Sequence, residues 1–318
     1  MVNIKYSRKF DRRVYFKNIS SKYFHIDKNE LLKSIIPSYH KKTITIIELF
    51  EYFKTNRIGE FDLLFEGVSF KNLVVGQFKT LKLIKNKIDT SKSIKENKYI
   101  ELIFNYTDLQ SKKIKPFFED NLLIATCYYC NIDFINTYNT RNTKKNKFTL
   151  DHYFDKSTYP YLALSLYNFI PSCYTCNSKL KGTIEFNNFA PSSKNYDFNE
   201  KVKFKIKLDE SCKNLHVKSK KDIDISLKEK YTNNYDKFIK DMRLDERYKA
   251  HKDIVYEMMK NAELYPKSRL KELQDLTGIP FQQIKKDIFN LIDEKEDLSK
   301  KPFSKLIKDI SEELGLTK

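Results

Sequence analysis

From about residue 28 to residue 126, apolar positions recur every three to four residues. "NELLKSIIPSYH", "TITIIELFEYFKTN", "SFKNLVVGQFKTLKLIKNKI" and "KYIELIFNYTDLQ" therefore predict amphipathic helices that pack against one another. Asn29, Thr43 and Ser69 stand where helix N-caps are expected. The period then shortens. "NTYNTRNTKKNKFTL" is polar and turn-like at first and alternates at its end, and "KFTLDHYF" continues the alternation of a strand. Such a strand sends Asp151 and His152 to opposite faces or onto a bulge. "NFIPSC" predicts a second short strand with Asn168 at its start. "YTCNSKLKG" predicts a helix stopped by Gly182, with Asn177 in the first turn. "FNNFAPSSKNYDFNE" is a loop by composition, and "KVKFKIKL" is a half-exposed strand with which "LHVKSKKDIDISL" could pair as a hairpin. From about residue 228 the helical period returns. The expectation is an α+β protein, mostly helical: a helical region over 1–126, a central unit over 127–190, and a hairpin-plus-helix region over 191–318.

A chain of 318 residues can form one large domain or two ordinary ones. With 40% hydrophobic residues it can build real cores, which excludes global disorder. No apolar run reaches the roughly 18 residues a membrane span requires. The first residues, "MVNIKYSRKFDRRVYFKN", are basic but lack the apolar core of a secretory signal, so a cytoplasmic protein is expected. The net charge of +18 suits a polyanionic partner such as nucleic acid. AT-rich coding would produce the same excess of Lys, Asn and Ile, so charge permits that partner without establishing it.

The cysteines change the picture more. Four of the five form two Cys-x-x-Cys pairs, Cys127 with Cys130 and Cys173 with Cys176, while Cys212 stands alone as a bystander. Two such knuckles supply four thiolates to one tetrahedral ion, which predicts a structural zinc site with no open position for substrate. A redox role would need only one pair, within a βαβ pattern that neither pair has. All six glycines are isolated, so the chain carries no nucleotide-binding loop of its own. "SRLKELQDLTGIPFQQIKKDIFNL" has the outline of a DNA-reading helix-turn-helix, but two packed core helices explain it at least as well.

In order along the chain stand "CYYC", "LDH", "YNFIPSC" and "CYTCNSKLKG". This succession resembles the HNH endonuclease family, the ββα-metal nucleases, over about residues 127–182. The resemblance implies a ββα-metal core on the four-Cys zinc site, flanked by helical regions, and metal-dependent hydrolysis of phosphodiester bonds in DNA. It makes His152 the general base that deprotonates water, a task suited to an imidazole. It makes Asp151 and Asn177 ligands of a catalytic Mg²⁺ or Mn²⁺, and it gives Asn168 the task of fixing the loop that orients His152. Lys179 and Lys181 would meet phosphates at the helix start, unless they are simply solvated.

"LDHYFDKSTYP", "LALSLYNFIPSC" and "CNSKLKG" are further similar to HNH proteins of bacterial anti-phage modules, including Septu-type and retron-associated effectors; Asp155 stands where many of these carry Pro. That likeness implies a defence role beside a separate ATPase, with nicking by one copy or double-strand cleavage by a homo-oligomer. Two other readings stay open: a non-catalytic zinc-ribbon module that binds nucleic acid, and an RNase.

Overall fold

The structure is a computed structural model, and it describes residues 1–6, 10–36, 42–88, 94, 96–139, 141, 144–186, 190–208, 217–293 and 295–317. Cys212, His40 and His216 lie outside the described residues. Helices hold about half of the chain and, among the described residues, the strands form four two-stranded antiparallel sheets, an α+β architecture.

The N-terminal helices follow from their caps and their apolar stripes. Asn29 accepts from Leu32 N–H to start Glu30–Ile35, and Ser69 accepts from Asn72 N–H to start Phe70–Val75. The cap expected at Thr43 is instead Thr45. It forms a reciprocal capping box with Glu48 at the start of Ile46–Thr55. Thr43 belongs to strand β2 (Thr43–Thr45), which pairs with β1 (Tyr23–His25). The long apolar stretch from Ser69 to Ile88 is broken after Val75, and a second helix runs from Phe78 to Lys87. Phe50, Phe61, Phe65, Phe70 and Phe104 form the centre of this layer, meeting edge-on or tilted.

The polar stretch before residue 147 closes a hairpin, β3 (Thr137–Asn139) with β4 (Lys144–Asn146). Strand β5 (Thr149–His152) pairs antiparallel with β6 (Phe169–Ser172), placing Asp151 opposite Ile170 and His152 opposite Phe169. Both strands are covered on both faces, so a four-residue pair suffices. Asn168 lies just before β6, at the end of a 3₁₀ turn (Leu166–Asn168), rather than in the strand. The helix after β6, Thr175–Lys181, has π geometry: the Gly182 N–H reaches the Asn177 carbonyl, five residues back.

Strands β7 (Val202–Leu208) and β8 (Ile223–Glu229) form the expected hairpin with seven paired positions. The helix Ser304–Glu313 lies against β7, where the buried Lys305 ammonium pairs with Asp309 and donates to the Val202 carbonyl at 2.7 Å. The helices Lys267–Thr277 and Phe281–Phe289 pack on each other as the sequence suggests, but the first is not a core helix: of its residues only Leu270 is buried.

The three stretches share one buried core. Val2 N–H donates to the Tyr128 carbonyl and Ile4 N–H to that of Pro191, so the start of the chain lies along the central unit. No described helix is long and apolar enough to cross a membrane.

Candidate active site and metal centre

The sulfur atoms of Cys127, Cys130, Cys173 and Cys176 lie within 4.8 Å of one another, and all four residues are buried. A tetrahedral ion with Zn–S bonds of about 2.3 Å spaces its sulfurs about 3.8 Å apart, so the cluster fits an ion such as zinc. Both knuckles turn N–H groups onto sulfur. Ile132 N–H points at Cys130 Sγ and Cys176 N–H at Cys173 Sγ, each at 3.4 Å. Burial pushes the Cys127 thiol well up, while the neighbouring cysteines and Arg247 draw the Cys130 thiol well down against its own burial.

Asn131 closes the first knuckle in the left-handed region at φ +55°, a conformation Asn tolerates. Its buried amide donates to Thr126 Oγ1 and to the Leu298 and Lys301 carbonyls, and accepts from Ser304 Oγ and Lys305 N–H. One side chain thus ties the knuckle to the C-terminal region.

The β5–β6 pair and the Thr175–Lys181 helix lie beside this cluster. Regular pairing sends Asp151 and His152 to opposite faces of β5, without a bulge. On one face the Asp151 carboxylate, 3% exposed, accepts at Oδ2 from the Tyr129 hydroxyl at 2.6 Å and pairs with the Lys181 ammonium at 3.2 Å. Burial raises its pKa above the usual carboxylate range, against the pull of Lys181 and Tyr129. Neither contact uses Oδ1. Thr149, two residues earlier on the same face, donates its hydroxyl to the Ser172 carbonyl at 3.0 Å, so towards Asn177 it accepts. The Asn177 Nδ2 donates to it at 2.9 Å, which turns the amide oxygen away.

On the other face His152 Nε2 lies 3.0 Å from the Ala163 carbonyl oxygen. A carbonyl only accepts, so Nε2 carries the proton and the neutral ring presents its lone pair at Nδ1. Phe169 and the edge-on ring of Tyr106, with centroids 4.9 and 4.7 Å away, hold the imidazole in place. Burial pushes the His152 pKa from 6.5 down to about 4, partly opposed by the Ala163 carbonyl and reinforced by Lys156 and Lys181.

Among the described residues, Asn168 makes no hydrogen bond to His152. Its fully buried amide accepts from Phe154 N–H at 2.8 Å and donates to the Phe154 and Leu162 carbonyls. It therefore pins both ends of the loop whose next residue, Ala163, holds the imidazole. Asp155 organises the middle of that loop by accepting from Ser157 and Thr158 N–H.

Lys179 is exposed, with its ammonium 5.7 Å from the centre of the Tyr174 ring. Lys181 differs from the surface position expected of it. It is 1% exposed, and its ammonium donates to the His152 carbonyl at 2.9 Å besides pairing with Asp151. The wider π turn brings it round to β5, where a buried carboxylate needs a counter-charge.

Several participants carry no motif in the sequence: Tyr129, Thr149, Ala163 through its carbonyl, Tyr106, and Arg247 on the cysteine cluster. Tyr129 lies inside "CYYC", and its place between two cysteines of the cluster is the signal the sequence carries for it. No protein-family model matches the chain, and neither does any curated protein or solved structure.

Proposed function

We propose that this protein is a metal-dependent endonuclease of the HNH, ββα-metal type that hydrolyses phosphodiester bonds in DNA. One observation carries the reading. Asp151, Asn177 and His152 are each anchored through one atom, and each keeps an acceptor atom out of those anchoring bonds: Asp151 Oδ1, Asn177 Oδ1 and His152 Nδ1. All three stand on one strand–strand–helix unit, with Asp151 and Asn177 towards one face of β5 and His152 on the other.

The two oxygens are hard donors and fit Mg²⁺ or Mn²⁺. Asp151 and Asn177 would hold that ion, which when bound supplies positive charge against the charge developing on the scissile phosphate and its leaving oxygen. His152 Nδ1 accepts the proton of the attacking water, while the Nε2–H bond to Ala163 keeps the ring in the tautomer that can do so. Asn168 is a positioning residue acting through the loop, and Tyr129 is one acting through Asp151. Lys179 contacts the nucleic-acid backbone from the surface, whereas Lys181 neutralises Asp151 from within. The four-Cys ion holds the two knuckles that deliver Tyr129 and Asn177. The site acts on one strand at a time, so a double-strand break takes two nicks or two copies. The resemblance to anti-phage effectors supports a cytoplasmic defence role with a separate ATPase.

The test is nicking of supercoiled plasmid by the zinc-loaded protein with Mg²⁺, with Mn²⁺, and without either. Ion-dependent nicking supports the reading, and cleavage of RNA but not DNA would move it to an RNase. A second reading, a zinc-ribbon module that binds nucleic acid without cutting it, is favoured by the deep burial of Asp151 and its pairing with Lys181. Binding without cleavage under every ion condition, with the candidate ATPase partner supplied, would establish it.

A further inference from the structure

The four-Cys cluster has a charged neighbour that comes from far along the chain. Arg247, on the helix Leu244–Lys249, points Nη1 at Cys176 Sγ at 3.2 Å and Nη2 at Asp133 Oδ2, also at 3.2 Å. Asp133 lies beside the first knuckle, with Oδ2 3.6 Å from Cys130 Sγ. The guanidinium therefore joins a sulfur of the second knuckle to a carboxylate at the first.

Four thiolates on a divalent ion leave two net negative charges in a buried site, and the Asp133 carboxylate adds a third close by. Desolvating such a cluster is costly unless a cation and N–H donors compensate it. Arg247 does both at once. Its planar fork addresses a sulfur and a carboxylate together, which a lysine ammonium on a flexible stem does less well.

The position of the guanidinium is fixed by the elements around it. One residue later Tyr248 donates to the Cys130 carbonyl at 2.7 Å, and its ring packs on Phe204 of β7 at 4.4 Å. Asp245, two residues earlier, accepts from the Leu227 N–H of β8 at 2.7 Å. The helix is thus bound on one side to the hairpin and on the other to the metal knuckle.

We infer that Arg247 is an outer cation of the four-Cys centre, retaining its metal ion and joining the C-terminal region to it. The role does not depend on hydrolysis at Asp151 and His152. Removing such a partner weakens metal affinity by about 10- to 100-fold.

The experiment follows zinc transfer from the zinc-loaded full chain to a chelating dye for the wild type, Arg247→Met, Arg247→Lys and Lys249→Met. Lys249→Met changes a half-exposed lysine on the same helix that pairs with Asp224 instead. The expected result is affinity about 10- to 100-fold weaker in Arg247→Met, an intermediate loss in Arg247→Lys, and wild-type retention in Lys249→Met. If Arg247→Met does not fold, Arg247→Lys carries the test. Wild-type zinc retention in the Arg247 variants, equal loss in Lys249→Met, or a chain that takes up no zinc would each overturn the inference.

Discussion

The phenolic hydroxyl of Tyr129 donates to the Asp151 carboxylate at 2.6 Å, so a residue between the first two cysteines holds a residue of the candidate active site. This hydrogen bond ties the four-Cys cluster to strand β5, and its donor is held in place because Tyr129 is fully buried among Phe186 and Phe238. Tyr129→Phe keeps the ring and removes the bond. Asp151 keeps Lys181, so the stability lost should be about 1–2 kcal/mol by urea denaturation. The divalent-ion concentration for half-maximal nicking should rise by about 10- to 100-fold, the size expected when a support of a metal ligand is lost. An unchanged ion requirement would mean that Tyr129 packs without positioning Asp151.

Asn168→Ala should destabilise the protein by about 2–4 kcal/mol, because the Phe154 N–H and the Phe154 and Leu162 carbonyls lose a buried partner together. The loop they anchor carries Ala163, so nicking should fall more than zinc content does. Chemical denaturation and zinc stoichiometry on the same preparation check both parts, and a cost below about 0.5 kcal/mol would contradict the role.

The depressed pKa of His152 has a defined consequence for stability. Its folded value of about 4 lies below the unfolded 6.5, so between these pH values the unfolded chain binds a proton that the folded chain does not. The associated stability is fully present above about pH 6.5 and is lost as pH falls through about 4, on the order of 3 kcal/mol in all. Urea denaturation from pH 7 to pH 4 should therefore show the wild type losing more stability than His152→Gln, by roughly that amount. Parallel losses in the two proteins would show that the imidazole is not held neutral by burial.

The Lys305–Asp309 pair tests how the C-terminal helix is fixed to β7. Asp309 also accepts from Lys203 and from the Phe204 N–H. Lys305→Met should cost about 1–3 kcal/mol, because Asp309 loses one buried partner but keeps Lys203, while Lys305→Met with Asp309→Leu should recover part of that loss. A fully additive double variant would contradict a pair that acts as a unit.

What could be read from the sequence was local or strongly patterned. Asn29 and Ser69 cap helices because capping needs only the next three residues. The β7–β8 pairing follows from alternation, and the four-Cys cluster follows from two spacings. Thr43 is a strand residue rather than a cap because β2 forms only by pairing with a strand some 20 residues earlier. Lys181 read as a surface cation because its burial depends on the π turn and on a carboxylate on another element. Arg247 meets Cys176 from 71 positions away, a contact that no window of sequence contains. The candidate site shows the same division: its residue types stand in the motif, while the atoms each one uses are set by Tyr129, Thr149 and the Ala163 carbonyl.

The most direct test of the central claim is single-turnover nicking of supercoiled plasmid by the wild type and His152→Ala, both brought to the same zinc content and assayed with and without Mn²⁺. The account predicts Mn²⁺-dependent nicking by the wild type and a rate lower by about 10²- to 10⁴-fold in His152→Ala, the usual worth of a general base. Equal nicking by the two proteins would contradict it.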